Sequence, residues 1–241
     1  MSSDSTQLDR WDLYKEGKDL RTVLLDSVTH ELRTPLTSIK ASVTALLTDS
    51  CLQPAQRNEL LVVIDEETNR LNRLMGEAAE TARLSAGVKL DLRSHAIEEI
   101  IDAATKDCRS LLGRRSISVQ LRPGLRPVRA DLNRIKKALV QLLENATKYS
   151  QREEAIVITA ELNGNFVITS VADRGAGIRE SELGLIFEKF YRGETQRHVV
   201  QGTGMGLPIA HAIIRAHGGA LTVKSRIGYG SIFAFSLPIY E

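Results

Sequence analysis

From Leu8 to about Leu47, apolar residues return at helical spacing: Leu8, Trp11 and Tyr14, then Leu20, Val23, Leu24, Val28, Leu32, Leu36, Ile39, Val43, Leu46 and Leu47. The pattern predicts one long amphipathic helix. A helix of about 60 Å, at 1.5 Å per residue, has an apolar face too long to leave in water and needs a partner. After a polar break from Thr48 to Pro54, Leu60, Leu61, Ile64, Leu71, Leu74, Met75, Ala78 and Leu84 carry a second helix to about Ser85. Two antiparallel helices bury only a thin core, so the hairpin is expected to dimerise into a four-helix bundle. A hairpin packed on its own downstream domain remains the alternative.

At Gly87 the helical pattern stops, and Val88 to Arg93 alternates as a strand would. The predicted domains are therefore 1–87, a helical hairpin, and 88–241. In the second, Ala96 to Leu112 reads as a helix and Ile117 to Leu121 as a strand, and Asp131 is placed to cap a strongly amphipathic helix running to Tyr149. Strands Ala155 to Leu162 and Phe166 to Ala172 flank Asn163-Gly164, a hairpin signal. A helix from Leu207 to His217 and strands Ala220 to Ser225 and Ser231 to Leu237 follow. The expected fold class is α+β: the hairpin, then an α/β sandwich with a mixed, mainly antiparallel sheet.

Composition narrows the possible functions. With 32 basic and 30 acidic residues the net charge is +2, which gives no global pull toward nucleic acid or an anionic membrane. Arg109, Arg114, Arg115, Arg122, Arg126 and Arg129 cluster in sequence but lack interleaved aromatics, so no nucleic-acid partner is expected. Cys51 and Cys108 have neither disulfide-framework nor zinc-ligand spacing. No apolar run reaches the roughly 18 residues of a membrane span. The expectation is a cytoplasmic chain with no membrane contact of its own, compatible with being part of a larger membrane receptor.

Four constellations carry chemistry. In His30-Glu31-Leu32-Arg33-Thr34-Pro35-Leu36 an imidazole nitrogen can attack an electrophilic phosphorus while Glu31 holds the ring. Thr34 lies one turn from His30, and Pro35 interrupts the helix ladder beside it. In Asn145-Ala146-Thr147-Lys148-Tyr149 the Asn145 carbonyl oxygen suits magnesium and Lys148 phosphate, although a polar helix C-terminus would look the same. In Asp173-Arg174-Gly175-Ala176-Gly177 the carboxylate can accept from an amine while the glycines admit a ligand; a tight turn is the plainer reading. Gly202-Thr203-Gly204-Met205-Gly206-Leu207-Pro208 leads into a helix whose N-terminal amides can meet phosphate.

In this order the segments resemble the transmitter core of a sensor histidine kinase from two-component signalling. His30 to Leu36 is similar to the H box, Asn145 to Tyr149 to the N box, Asp173 to Gly177 to the G1 box, Ile186 to Tyr191 to the F box and Gly202 to Leu207 to the G2 box. The resemblance implies a dimerising phosphoacceptor hairpin followed by a Bergerat-type ATP-binding domain. ATP and Mg2+ are the implied cofactors, and a second copy of the chain and a response-regulator receiver domain the implied partners. His30 would be autophosphorylated and Glu31 would orient or deprotonate it, while Thr34 would serve phosphatase activity toward the regulator. Asn145 would bind magnesium, Lys148 would approach phosphate and Tyr149 the adenine. Asp173 would read the adenine amine, bordered by Gly175 and Gly177. Gly202, Thr203, Gly204, Gly206 and Leu207 would close over the phosphates, and Arg192 to Gln201 would form the mobile lid. One position departs from the family pattern: Gln141 stands where the N box usually opens with a second asparagine. Two rivals follow, an ATPase of the same superfamily without phosphoacceptor chemistry and a degenerate transmitter acting as a scaffold.

Overall fold

The computed structural model describes residue 29 and residues 32–85, 89–113, 115–150, 154–193 and 202–240. The first half of the predicted long helix, His30, Glu31, the Gly87 joint and residues 194–201 of the predicted lid lie outside the described residues. The chain divides into two compact units: residues up to Gly76 with Lys189–Tyr191, and Glu77–Glu188 with residues from Arg192 on.

In the first unit, helix α1 spans 32–48 and continues through the buried Pro35. Residues 49–53 lead to α2 (Pro54–Ser85), whose residues from Glu77 on cluster with the second unit. The start of α2 follows from its sequence. Pro54 occupies the first helical position, where its missing N–H costs nothing, and the Gln53 amide donates to Gln56 Oε1 at 3.0 Å, which is half of a capping box. Asp49 accepts from the Cys51 amide at 2.9 Å and tightens the turn. Few apolar side chains are covered within this unit. Leu36 is 55% and Leu47 81% exposed, and Leu61, Val62 and Met75 are also exposed.

The second unit is a five-stranded sheet with helices on one face. It begins with β1 (Arg93–His95), α3 (Ile97–Asp107), α4 (Arg109–Leu112), β2 (Ile117–Leu121), β3 (Val128–Ala130) and α5 (Leu132–Tyr149). It continues with β4 (Ile156–Asn163), β5 (Phe166–Asp173), a 3-10 turn (Glu180–Glu182), α6 (Gly206–Ala216), β6 (Leu221–Arg226) and β7 (Gly230–Pro238). The sheet order is β2-β4-β5-β7-β6. Only β2 and β4 run parallel, so the sheet is mixed and mainly antiparallel. Ile97, Ile100 and Ile101 of α3, Ile135, Leu139, Leu142 and Leu143 of α5, and Ile209, Ile213 and Ile214 of α6 are buried. They pack in one core with Ile156, Ile158, Val167, Val171, Phe233, Phe235 and Leu237 of the strands. Truncating one of these large side chains to Ala is worth about 3–5 kcal/mol for Phe and somewhat less for Leu or Ile.

Two expectations change here. The strand predicted from Val88 to Arg93 is displaced: β1 spans Arg93–His95 and pairs only with β3, which periodicity did not reveal. Its predecessor Asp91 instead donates its amide to Asp131 Oδ2 at 3.3 Å. The helix predicted from Ala96 to Leu112 is broken at Cys108, the C-cap of α3 and N-cap of the short α4, whose ψ of −3° departs from the value of about −42° in a continuous helix.

Candidate active site

α5 presents two faces because its apolar residues repeat at helical spacing. Ile135, Ala138, Leu139, Leu142, Leu143 and Ala146 are buried, while Gln141, Asn145 and Lys148 lie on a half-open stripe at i, i+4 and i+7. Asp131 caps the helix by accepting from the Arg134 amide at 3.3 Å, as expected. At the other end, Lys148 pairs with Glu144 at 3.3 Å. Tyr149 is half-buried, and burial pushes its phenol up against the opposing influence of Arg192.

Asp173 closes β5. It is 7% exposed, and its Oδ1 accepts from the amides of Gly175 at 2.8 Å and Ser231 at 3.3 Å. Burial holds its carboxyl above the ordinary range, against the pull of those two amides. Oδ2 has no partner among the described residues, which leaves it for a ligand donor. The G1 turn is tied down on three sides: Ser150 bridges to Gly175, the Gly228 amide donates to the Ala176 carbonyl at 2.8 Å, and the Ile178 amide donates to Ser225 Oγ at 2.9 Å. Two glycines have no substitute here. A side chain at Gly175 would run into the Tyr149 carbonyl, and Gly177 combines φ +75° with the Arg226 carbonyl directly overhead.

The G2 segment enters α6 at Gly206. The Met205 amide donates to Thr203 Oγ1 at 3.2 Å, and Thr203 donates to Glu77 at 2.6 Å within the same unit. A Cβ at Gly206 would lie 2.5 Å from Gln141 Oε1, so the departure from the N-box pattern meets the start of the G2 helix. Phe187, in the part of the F box that belongs to the second unit, meets His211 of α6 with ring centroids 5.2 Å apart.

The structure therefore brings Tyr149, Asp173, Gly175 and Gly177 together at one end of the sheet, and sets Gly206 against the stripe of α5 that carries Asn145. Thr34 belongs to the first unit and is exposed there on α1. Asn145 has no hydrogen-bond partner among the described residues, and no group of three or more His, Cys, Asp or Glu able to hold a metal occurs among them. This neutral oxygen donor on an open helix face fits a magnesium ion bound mostly by phosphates and water rather than by a protein cage.

Sequence reasoning missed Ser225, Ser231 and Arg115. The two serines had a legible signal. The inward series of three strands, Val167-Thr169-Val171-Asp173, Leu221-Val223-Ser225 and Leu237-Phe235-Phe233-Ser231, all turn polar at the same end. Arg115 had none, because its partners lie 32 and 35 residues away.

The His Kinase A (phospho-acceptor) domain family matches residues 20–87, and the histidine kinase-, DNA gyrase B- and HSP90-like ATPase family matches residues 130–241. Sensor protein SrrB of Staphylococcus aureus is 31% identical over 215 residues, which is 88% of this chain and 37% of SrrB. The chain thus spans little more than a third of the length of such relatives. Among solved structures, histidine kinase ThkA in complex with response regulator protein TrrA superposes with a TM-score of 0.69 at 25% identity, covering 99% of this chain and 68% of ThkA. Full-length ShkA in complex with AMPPNP gives 0.67 at 27% identity, covering 92% of this chain and 46% of ShkA.

Proposed function

Because the chain belongs to the sensor histidine kinases and carries their transmitter core, we propose that it autophosphorylates His30 from Mg-ATP and passes the phosphoryl group to a response-regulator aspartate. The observation that carries this reading is the presence of a phosphoacceptor match and an ATP-domain match in one chain, in that order.

In the proposed reaction the bond between the γ-phosphorus and its bridging oxygen breaks and a phosphorus–nitrogen bond forms at the His30 imidazole, while Glu31 takes the ring proton and ADP leaves. Asp173 Oδ2 would hold the adenine amine, Tyr149 would cover the base, and Lys148 would approach the phosphates once released from Glu144. Gly202, Thr203, Gly204, Gly206 and Leu207 would bring backbone to the phosphates, where positioning and charge stabilisation do most of the work. Asn145 would hold magnesium, which when bound offsets the phosphate charge.

The second step needs a receiver domain beside the phosphohistidine. ThkA was solved in complex with a response regulator. In this chain Leu36 is exposed on α1 beside Arg33 and Lys40, an apolar patch with positive charge suited to an acidic regulator surface. Thr34, exposed on α1 and four residues after His30 in sequence, would serve dephosphorylation of the regulator. A homodimer is proposed on the same grounds as before, since Leu47, Leu61 and Met75 remain exposed in the single chain. No described helix is long and apolar enough to cross a membrane. Two free cysteines, Cys51 exposed and Cys108 buried, suit a reducing cytoplasmic setting.

The test is incubation of the purified chain with radiolabelled ATP. Wild type is expected to acquire acid-labile, base-stable phosphate, and His30→Gln to acquire none while binding ATP as wild type does. Label persisting in His30→Gln overturns the assignment. ATP binding without any phosphate transfer in wild type favours the scaffold reading, for which Gln141 is the specific motive.

A further inference from the structure

The three strands that turn polar at one end place Asp173, Ser231 and Ser225 in a single row, since the register pairs Asp173 with Ser231 and Ser231 with Ser225. The next row inward is Val171, Phe233 and Val223, so the polar row lies at the margin of the core. Asp173 and Ser231 are 7% and 6% exposed.

Ser225 Oγ has three neighbours at 2.9 Å: the Ile178 amide, the Gly230 carbonyl and Ser231 Oγ. A hydroxyl has one proton and two lone pairs. The carbonyl of Gly230 can only accept, so it takes the Ser225 proton. The Ile178 amide can only donate, so it takes one lone pair. All three contacts are satisfied together only when Ser231 donates to the other. With its proton committed, Ser231 Oγ has only lone pairs left to offer. Beside it, Asp173 has Oδ1 engaged by two amides and Oδ2 without a partner among the described residues. This end of the sheet therefore offers acceptors and no side-chain donor from the row.

We propose that Ser225 is a specificity-positioning residue: by fixing Ser231 as an acceptor, it makes the site select a 6-amino purine over a 6-oxo purine. The proposal rests on the reading of Asp173 as the residue that meets the nucleotide base. An O6 atom placed here would face lone pairs on both Asp173 and Ser231, whereas an amine would find acceptors. Removing the Ser225 hydroxyl releases the Ser231 proton, which can then turn to O6.

The experiment is calorimetric titration of the full chain with the imido analogues of ATP and inosine triphosphate, which differ at the 6-position and lack the 2-amino group of guanine. Ser225→Ala is expected to shift the adenine-to-hypoxanthine affinity ratio toward hypoxanthine by about tenfold, the scale of one buried polar mismatch. Ser225→Thr, which keeps the hydroxyl, is expected to retain the wild-type ratio. Parallel weakening of both ligands in Ser225→Ala, with the ratio unchanged, is the signature of a merely structural residue and overturns the proposal. If Ser225→Ala does not fold, Ser225→Cys supplies a weaker donor of similar size and must move the ratio in the same direction, or the proposal fails. Wild type failing to bind the ATP analogue at all would instead overturn the nucleotide reading of the site.

Discussion

Arg115 holds Ser150 twice: one guanidinium nitrogen donates to Ser150 Oγ at 3.2 Å and the other to its carbonyl at 3.3 Å. The first also donates to the Thr147 carbonyl at 2.7 Å. One side chain from the segment before β2 thus satisfies carbonyls left open at the C-terminus of α5. Ser150 in turn bridges to Gly175, so the grip extends from the N box to the G1 turn.

Arg115→Met keeps the aliphatic stem and removes the donors. We expect a loss of about 1–2 kcal/mol in stability, the scale for unpairing part-buried carbonyls, and a several-fold weaker ATP affinity. Chemical denaturation and calorimetry check the two effects. Arg115→Lys should restore only part of either, since an ammonium group cannot span both Thr147 and Ser150 as the planar fork does.

Asp173 sets function against stability. Burial disfavours its charged form, so its folded pKa lies above the unfolded one and ionisation opposes folding at neutral pH. Asp173→Asn should therefore unfold at a temperature equal to or above that of wild type, while binding ATP about 100-fold more weakly through loss of a charge-assisted bond. A thermal melt and a nucleotide titration on the same preparation decide the matter. Unchanged affinity would remove Asp173 from the site.

His217 predicts acid sensitivity. Its Nδ1–H donates to the Ile213 carbonyl at 2.7 Å, and its Nε2 accepts from the Asp131 amide at 3.0 Å, an arrangement open only to the neutral ring. Burial lowers its pKa below the ordinary 6.5, outweighing the favourable influences of Ile213 and Asp131. The unfolded chain thus takes up the proton first as pH falls below about 6.5, and stability declines from there toward the lowered folded value. His211, also lowered by burial, adds to the same slope. His217→Gln should keep an acceptor and show a shallower loss between pH 7.5 and 5.5 in urea titrations.

Thr169 is fully buried in β5, and its hydroxyl has no partner among the described residues. Thr169→Val replaces that hydroxyl with a methyl of similar shape and should be neutral or stabilising by about 1 kcal/mol. A lower melting temperature would mean that the hydroxyl is bonded in solution.

Much of this fold can be read from local pattern. The Asn163-Gly164 hairpin, the Asp131 cap and the two faces of α5 each depend on residues close together in sequence, and each is found where spacing puts it. The elements that escaped depend on distant pairing. β1 and β3 are three-residue strands that pair with each other, with Val128 of β3 also bridging to Ile239, and both are too short to show alternation. The Arg115 clamp reaches 32 and 35 residues along the chain, and the serine pair meets Asp173 across 58, so no window along the chain contains either arrangement whole. Around Asp173, the carboxylate and the glycine turns stood out because their pattern is local; Ser225 and Ser231 left only the polar ends of their strands as a signal, and Arg115 left none.

The position of β7 bears on when the protein becomes competent. It lies between β5 and β6 in the sheet, yet it is the last of the five strands in sequence. During synthesis from the N-terminus, α1 and α2 emerge long before the strand that supplies Ser231 and closes the core over Phe233 and Phe235. A ribosome-bound chain therefore presents α1 and α2 while the end of the sheet at Asp173 still lacks the strand beside it. On the proposed function, pairing of two copies is free to precede the first turnover, and a chain cut short before Gly230 is expected to retain the phosphoacceptor segment without phosphorylating it.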